Sequence, residues 1–298
     1  MNNNQKNNIN GWLILDKPAG ISSAHAVGRI KRLLNVKKVG HAGTLDPLAS
    51  GVLPLAIGEA TKTAQYAMSS TKSYKFTVKW GQRTSTDDLE GEVIATSDKM
   101  PSLCQIKEEI PNYIGQIMQT PPIYSAIKVK GQRAYKLARQ GEEISLNPRP
   151  VDIYKFELLN SDEESATFYI ECGKGTYIRS IARDFAQSLG TQGHVTMLRR
   201  TKVGKFCEEN TILLENIEKT MYKPESPGFI LPVEAVLDDI PVLTFTPEEA
   251  MRISNGMSVM VNQNFDSKKT VIARTEEKLI ALCETSGGNI KPVRVFNL

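Results

Sequence analysis

At 298 residues, 40% of them hydrophobic, the chain has material for one large core-bearing domain and a small one. Its net charge of +4 is too modest to imply a partner by itself, so the distribution of charge matters more than the total. Cys104, Cys172, Cys207 and Cys283 make no C-x-x-C pair, His25, His41 and His194 have no metal-ligand spacing, and no apolar run could span a bilayer. Zinc sites, disulfide frameworks and membrane spans are therefore not expected, and the thiols read as reduced, in a cytoplasmic protein.

Residues 1–10 are Asn-rich, lack the apolar centre of a signal peptide and read as a disordered tail. Gly11 to Asp16 reads as a short buried strand, closed by Lys17-Pro18-Ala19-Gly20. Ser22 or Ser23 can cap a helix whose Val27, Ile30 and Leu34 recur at helical spacing, with Arg29 and Arg32 opposite. Next comes the most informative stretch, His41 to Pro54. It sets Asp46 between Gly43 and Gly51, before a proline that biases the carboxylate's backbone toward an extended conformation. No acidic residue lies between Asp16 and Asp46, whereas Lys17, Arg29, Lys31, Arg32, Lys37 and Lys38 are basic. A lone carboxylate at the edge of such a tract points to chemistry on a polyanion.

Val52 to Ile57 is apolar, and Tyr74 to Trp80 alternates as a half-buried strand does. Thr120 to Pro150 is basic, with Lys128, Lys130, Arg133, Lys136, Arg139 and Arg149 against Glu142 and Glu143, and interleaves Tyr124 and Tyr135. Val151 to Leu159 and Ser165 to Cys172 read as strands, and Thr176 to Leu189 as a helix with Ile178, Ile181, Ala182, Phe185 and Leu189 on one face. Phe185 to Cys207 is a further acid-free tract carrying Arg199, Arg200, Lys202 and Lys205. Lys223 to Gly228 reads as a loop near the end of the large domain, and past Pro241 the chain breaks into short β-like segments. Without regular βα alternation, the expected class is α+β with a mixed or antiparallel sheet.

Gly173-Lys174-Gly175-Thr176 invites a phosphate-loop reading, which fails because position 168 is Phe and Lys174 is followed by Gly. What remains there is Tyr177 and Arg179, the latter able to pair with a buried carboxylate. At this point a resemblance emerges. Leu15-Asp16-Lys17-Pro18 with Gly20, Ser22 and Ser23 is the first of its runs, and Val39 through Pro54 the second. Tyr74 with Gly81, Thr84, Thr86, Asp88 and Gly91 follows, then Pro121-Pro122 with Tyr124, Ser125, Ala126 and Lys128. Gly131-Gln132 with Ala134, Tyr135, Ala138, Arg139 and Gly141 comes next, and Gly173 to Ser180 and Leu198 to Thr201 close the set. In that order the runs resemble the bacterial tRNA pseudouridine-55 synthases, the TruB family, over nearly the whole chain after the tail.

The resemblance implies a catalytic domain over 11–240, a thumb-like RNA-clamping insertion over 120–150, and a small β-rich PUA-like domain over 241–298. It implies a stand-alone, monomeric enzyme that needs no metal, redox cofactor or guide RNA and that isomerises uridine 55 in the T-arm loop of tRNA. Asp46 matches the attacking aspartate, Tyr74 the aromatic that stacks on the flipped base and assists proton removal, and Arg179 the arginine paired with the aspartate. Tyr177 and Leu198 match pocket-lining residues, His41 the filler of the vacated slot, and Lys17 and Asp88 join the substrate-binding set. Lys128, Lys130, Arg139, Arg199 and Arg200 are expected on the RNA backbone. Two alternatives are a guide-RNA-dependent relative, a class that lacks the insertion, and an RNA-folding protein whose tRNA binding coexists with catalysis.

Overall fold

Among the described residues, ten strands join in one mixed sheet. The computed structural model describes residues 5–129, 131–142, 144–220, 228–261 and 269–298. The main path runs Ile212–Leu213, Gly11–Lys17, Ser50–Ile57, Gly193–Val203, Lys72–Trp80, Ser165–Cys172, Arg149–Ser161, Gly115–Gln119. Val39–His41 adds to Ser50–Ile57, and Phe206–Cys207 to Gly193–Val203. Gly193–Val203 runs parallel to Ser50–Ile57 and antiparallel to Lys72–Trp80, which makes the sheet mixed as expected.

Alternation puts these strands in place. Ser165–Cys172 buries Ala166, Phe168, Ile170 and Cys172 on one face, and Lys72–Trp80 buries Phe76, Val78 and Trp80 on the same side. Helices cover that face, among them Ser23–Leu33 through Ala26 and Ile30, and Ile178–Ser188 through Ile178, Ile181, Ala182 and Phe185. Phe168 is the hub, 5.5 Å from Phe76 and 5.4 Å edge-on from Phe185, pairings worth about 0.5–1.5 kcal/mol each beyond the area they bury.

The sheet's other face, with Trp12, Ile14, Val52 and Ala56, packs against Leu237, Ile272, Leu282 and Phe296. The last three belong to the C-terminal β-rich part, whose five-stranded sheet runs Val242–Thr244, Thr270–Arg274, Leu279–Ser286, Asn289–Val295, Val259–Met260. Sequence reasoning reads this part as strands alone, but Pro247–Ser254 is a helix opened by a Thr246/Glu249 capping box with Pro at its first position.

The expected disordered tail needs correcting over its described half. Asn7 pairs with Val36, its backbone N–H donating 2.9 Å to the Asn35 carbonyl, and Asn10 Oδ1 accepts 2.9 Å from the Glu59 N–H. Polar side chains here serve as backbone partners, a use that composition does not reveal. Residues 1–4 and most of the loop expected at 223–228 lie outside the described residues, as does Lys130. The basic insertion holds a hairpin, Lys128–Val129 with Gln132–Arg133, followed by the helix Ala134–Arg139; the Arg139 side chain also lies outside what is described.

Candidate active site

One rung across the sheet carries Lys17, Gly51, Arg200 and Tyr74, each the register partner of the next. Directly opposed residues share a face, and this is the helix-covered face, at the end where the His41–Ser50 loop and the start of helix Ile178–Ser188 meet it.

The loop that presents Asp46 is tied down on both sides. Ser23 Oγ accepts from the Leu45 N–H at 2.8 Å and lies 2.9 Å from the Leu45 carbonyl, to which it donates. Ser22 is the one that caps the helix, accepting from the His25 N–H, which frees Ser23 for the loop. On the far side the Pro47 carbonyl accepts from the Gly20 N–H at 2.8 Å and from Lys17 Nζ at 3.4 Å. Asp46 thus stands between two anchored neighbours.

Gly51 follows from the same packing. It has φ +99°, and a Cβ there would lie 2.2 Å from the Arg200 carbonyl oxygen. Gly51→Ala is therefore expected to destabilise the fold by about 1–3 kcal/mol from backbone strain alone, with the clash added. Urea unfolding measures it, and a stability equal to that of the unsubstituted protein would contradict the close approach.

Asp46 Oδ2 sits 2.9 Å from Arg179 Nε, as a close ion pair with the Asp46 side chain still 32% exposed. Arg179 itself is 4% exposed and spends its other donors on protein: Nη1 on the Thr86 carbonyl at 2.9 Å and on Asp88 at 3.4 Å, Nη2 on the Tyr124 carbonyl at 2.9 Å. Burial pushes the Asp46 carboxyl above its ordinary range; Arg179 opposes that shift, the nearby Asp88 reinforces it, and Lys17 weakly opposes it. Asp88 also takes the Thr86 hydroxyl at 2.5 Å and the Glu90 N–H at 3.0 Å, so it orders the turn that receives Arg179.

One helical turn on, Arg183 repeats the pattern, meeting Asp87 at 3.0 Å and the Thr120 carbonyl at 2.8 Å. Two arginines of one helix thereby join the 84–88 turn to the root of the basic insertion. Neither Asp87 nor Arg183 stands out in the sequence; the i,i+4 spacing from Arg179 is the available signal. Gln119 escapes sequence reasoning too. It is fully buried and grips the Tyr177 backbone twice, donating to its carbonyl at 3.1 Å and accepting its N–H at 2.8 Å. Arg149 stacks over the Tyr177 ring at 5.3 Å.

Tyr74, Tyr177, Leu198 and His41 fall around this end of the sheet, Leu198 being buried and the other three half-buried. Burial raises the Tyr74 phenol despite the opposing Arg200 guanidinium, which keeps its hydroxyl protonated at neutral pH. Burial, then Arg200, lowers the His41 imidazole, leaving that ring neutral.

Three basic residues need reassignment. Lys17, expected against substrate, is fully buried, donates to the Pro18 and Ile21 carbonyls at 2.8 and 2.7 Å, and is pulled by burial down to about 8. Arg199, expected on RNA phosphates, is taken up by both Asp16 oxygens at 3.0 and 2.8 Å and by Glu208 at 2.5 Å. Arg200, expected there as well, is 1% exposed and bonds protein carbonyls. Lys128, by contrast, is exposed on its hairpin.

Comparison with known proteins shows the family of the chain. Residues 31–178 match the TruB family pseudouridylate synthase N-terminal domain, and residues 179–238 the tRNA pseudouridylate synthase B C-terminal domain. The chain is 47% identical to tRNA pseudouridine synthase B of Caulobacter vibrioides, over 97% of both chains. It is likewise 47% identical to the protein of that name from Ehrlichia chaffeensis, over 97% of this chain and 99% of that one. Among solved structures, an H/ACA RNP bound to a substrate RNA containing 2′-deoxyuridine matches with a TM-score of 0.73 at 24% identity, covering 97% of this chain and 85% of that one. A Cbf5–Nop10–Gar1 complex matches with a TM-score of 0.72, also at 24% identity, over 99% and 92%. The likeness to these two is one of fold.

Proposed function

Because this chain belongs to the TruB family of pseudouridylate synthases, we propose that it isomerises uridine 55 in the T-arm loop of tRNA to pseudouridine, without a guide RNA and as a monomer, in the cytoplasm. The observation that carries the reading is the partly exposed Asp46–Arg179 ion pair, presented by a loop anchored on both flanks.

The reaction breaks the bond from uracil N1 to the ribose C1′, joins C5 to that carbon, and moves a proton from C5 to N1. A base in a folded RNA loop must first leave the stack, at a cost of a few kcal/mol. Stacking on Tyr74 returns roughly 1–3 kcal/mol of that, and the neutral His41 ring suits the slot left behind. Asp46 then attacks as an anion, and Arg179 is the group that keeps it ionised against burial. Tyr177 and Leu198 close the pocket on a uracil that is covalently free for part of the reaction, and Asp88 holds the turn beneath it. The protonated Tyr74 hydroxyl assists proton removal through its acceptor lone pair and not as a standing phenolate.

The direct test is incubation with an unmodified tRNA transcript, with no other RNA or protein present, followed by mapping of pseudouridine. Conversion at position 55 supports the reading; conversion elsewhere, or none, refutes it. The RNA-backbone role now rests on the insertion, with Lys128 as its described representative, and Lys130 and Arg139 proposed beside it. Lys128→Glu should weaken tRNA binding and reduce the slope of log K against log salt by about one for each phosphate no longer neutralised. The single-turnover rate at saturation should hold, since groups on the phosphates position RNA and do not touch the base. A salt titration with an unchanged slope would remove Lys128 from the interface.

A further inference from the structure

We propose that Arg200 is a positioning residue for this reaction, fixing the two ends of the Asp46 loop in register with Tyr74 on the neighbouring strand. The inference rests on the isomerase reading above and deepens it. Arg200 is buried and, among the described residues, forms no ion pair with any carboxylate. A buried ion without a counter-charge costs several kcal/mol unless its donors are fully engaged. Two of the Arg200 nitrogens are engaged on the loop that carries Asp46. Nε donates to the Val52 carbonyl at 2.8 Å and Nη2 to the Gly43 carbonyl at 3.1 Å. These carbonyls bracket the nine residues from Gly43 to Gly51 that contain Asp46, with Val52 the first residue beyond. Tyr74 is the cross-strand neighbour of Arg200, and the guanidinium's charge acts on its phenol.

A planar fork serves two carbonyls lying in different directions from one stem through separate nitrogens; an ammonium on a lysine stem is a point donor. The backbone agrees. The absence of a Cβ at Gly51 lets the loop strand close on the Arg200 carbonyl, and Gly43, at φ +97°, keeps its own Cβ position 3.4 Å from Arg200 Nη1. Both glycines of the loop therefore face this one residue. Holding nucleophile and aromatic at fixed separation is where effective molarity comes from, and a misplacement of about 1 Å costs on the order of 10²-fold.

The test is Arg200→Lys, which keeps the charge and removes the fork. Its single-turnover rate on tRNA transcript should fall at least tenfold while Kd changes less than threefold and the salt slope stays put. Adding Tyr74→Phe should then cost less than it does in the unsubstituted protein, because the two residues act together. A normal rate, strictly additive effects, or a weaker Kd with a shallower salt slope would each overturn the proposal, the last by returning Arg200 to the RNA backbone. Hydrogen exchange at the amides of residues 43–52 reads the loop without turnover. Faster exchange confined to that loop is expected, and unchanged exchange overturns the proposal whatever the substrate proves to be. If Arg200→Lys does not fold, Gly43→Ala disturbs the same pairing from the loop side and should give the same loss of rate at constant Kd; a normal rate there overturns the proposal too.

Discussion

Asp46→Asn should bind unmodified tRNA with a Kd within tenfold of the unsubstituted protein, about 1.4 kcal/mol, and convert no uridine over many turnovers. Asparagine keeps the shape and one acceptor, so the change isolates the charge. Arg179 gives up its ionic partner at Asp46 but retains Asp88 and the Thr86 and Tyr124 carbonyls, which keeps the site assembled. Measurable pseudouridine from this variant would remove Asp46 as nucleophile.

The same carboxylate fixes the sign of a pH effect. Its proton is held above the ordinary aspartate range in the folded protein, by burial first and by Asp88 against the pull of Arg179. The anion proposed as nucleophile therefore accumulates only as pH rises through that raised value, and the single-turnover rate should climb with pH and level off once ionisation is complete. For stability the sign is the reverse. The folded state binds the proton more tightly than the unfolded chain, so this group favours folding at low pH and loses that contribution as pH rises through the raised value. A rate that falls with pH across the acidic range would contradict the requirement for the anion.

Much of this site could be read from the chain because the relevant signals are local. The 41–54 run concentrates two glycines, a proline and one acid within a basic tract, and the period-two pattern of 74–80 has one structural solution. Misreading begins where burial of charge decides the outcome. Lys17 is expected against substrate and Arg199 and Arg200 on RNA phosphates, yet their partners are protein carbonyls and acids, two of them far off in sequence: Asp16 lies 183 positions from Arg199, and Val52 lies 148 from Arg200. No window along the chain contains such pairs. Gln119 and Ser23 are hidden for a related reason, since each serves a backbone rather than a side chain, and backbone partners leave no compositional trace.

Arg179→Ala should abolish turnover and also destabilise the fold by about 3–5 kcal/mol, the usual cost of stripping one partner from a buried ion pair. The double effect follows from position. Its guanidinium bridges two carboxylates, Asp46 and Asp88, and two backbone carbonyls, those of Thr86 in the turn and Tyr124 at the root of the insertion. Removal leaves the buried Asp88 facing Asp46 without a cation between them, so Asp46 should protonate more readily and the insertion should lose one of its ties. Arg183 and Ser180 still hold the Thr120 carbonyl, so the insertion should loosen but stay attached, seen as faster proteolysis within 120–150. Arg179→Lys separates the two consequences. Its single ammonium can compensate charge but cannot span acceptors on all these sides, so it should recover part of the stability and little of the rate. Urea unfolding with an unchanged m-value, read beside single-turnover rates, measures both. Full activity in Arg179→Lys would mean that charge alone suffices and that the fork geometry is incidental. Full stability in Arg179→Ala would mean that these bonds amount to no more than surface pairing, at a site that does not need them.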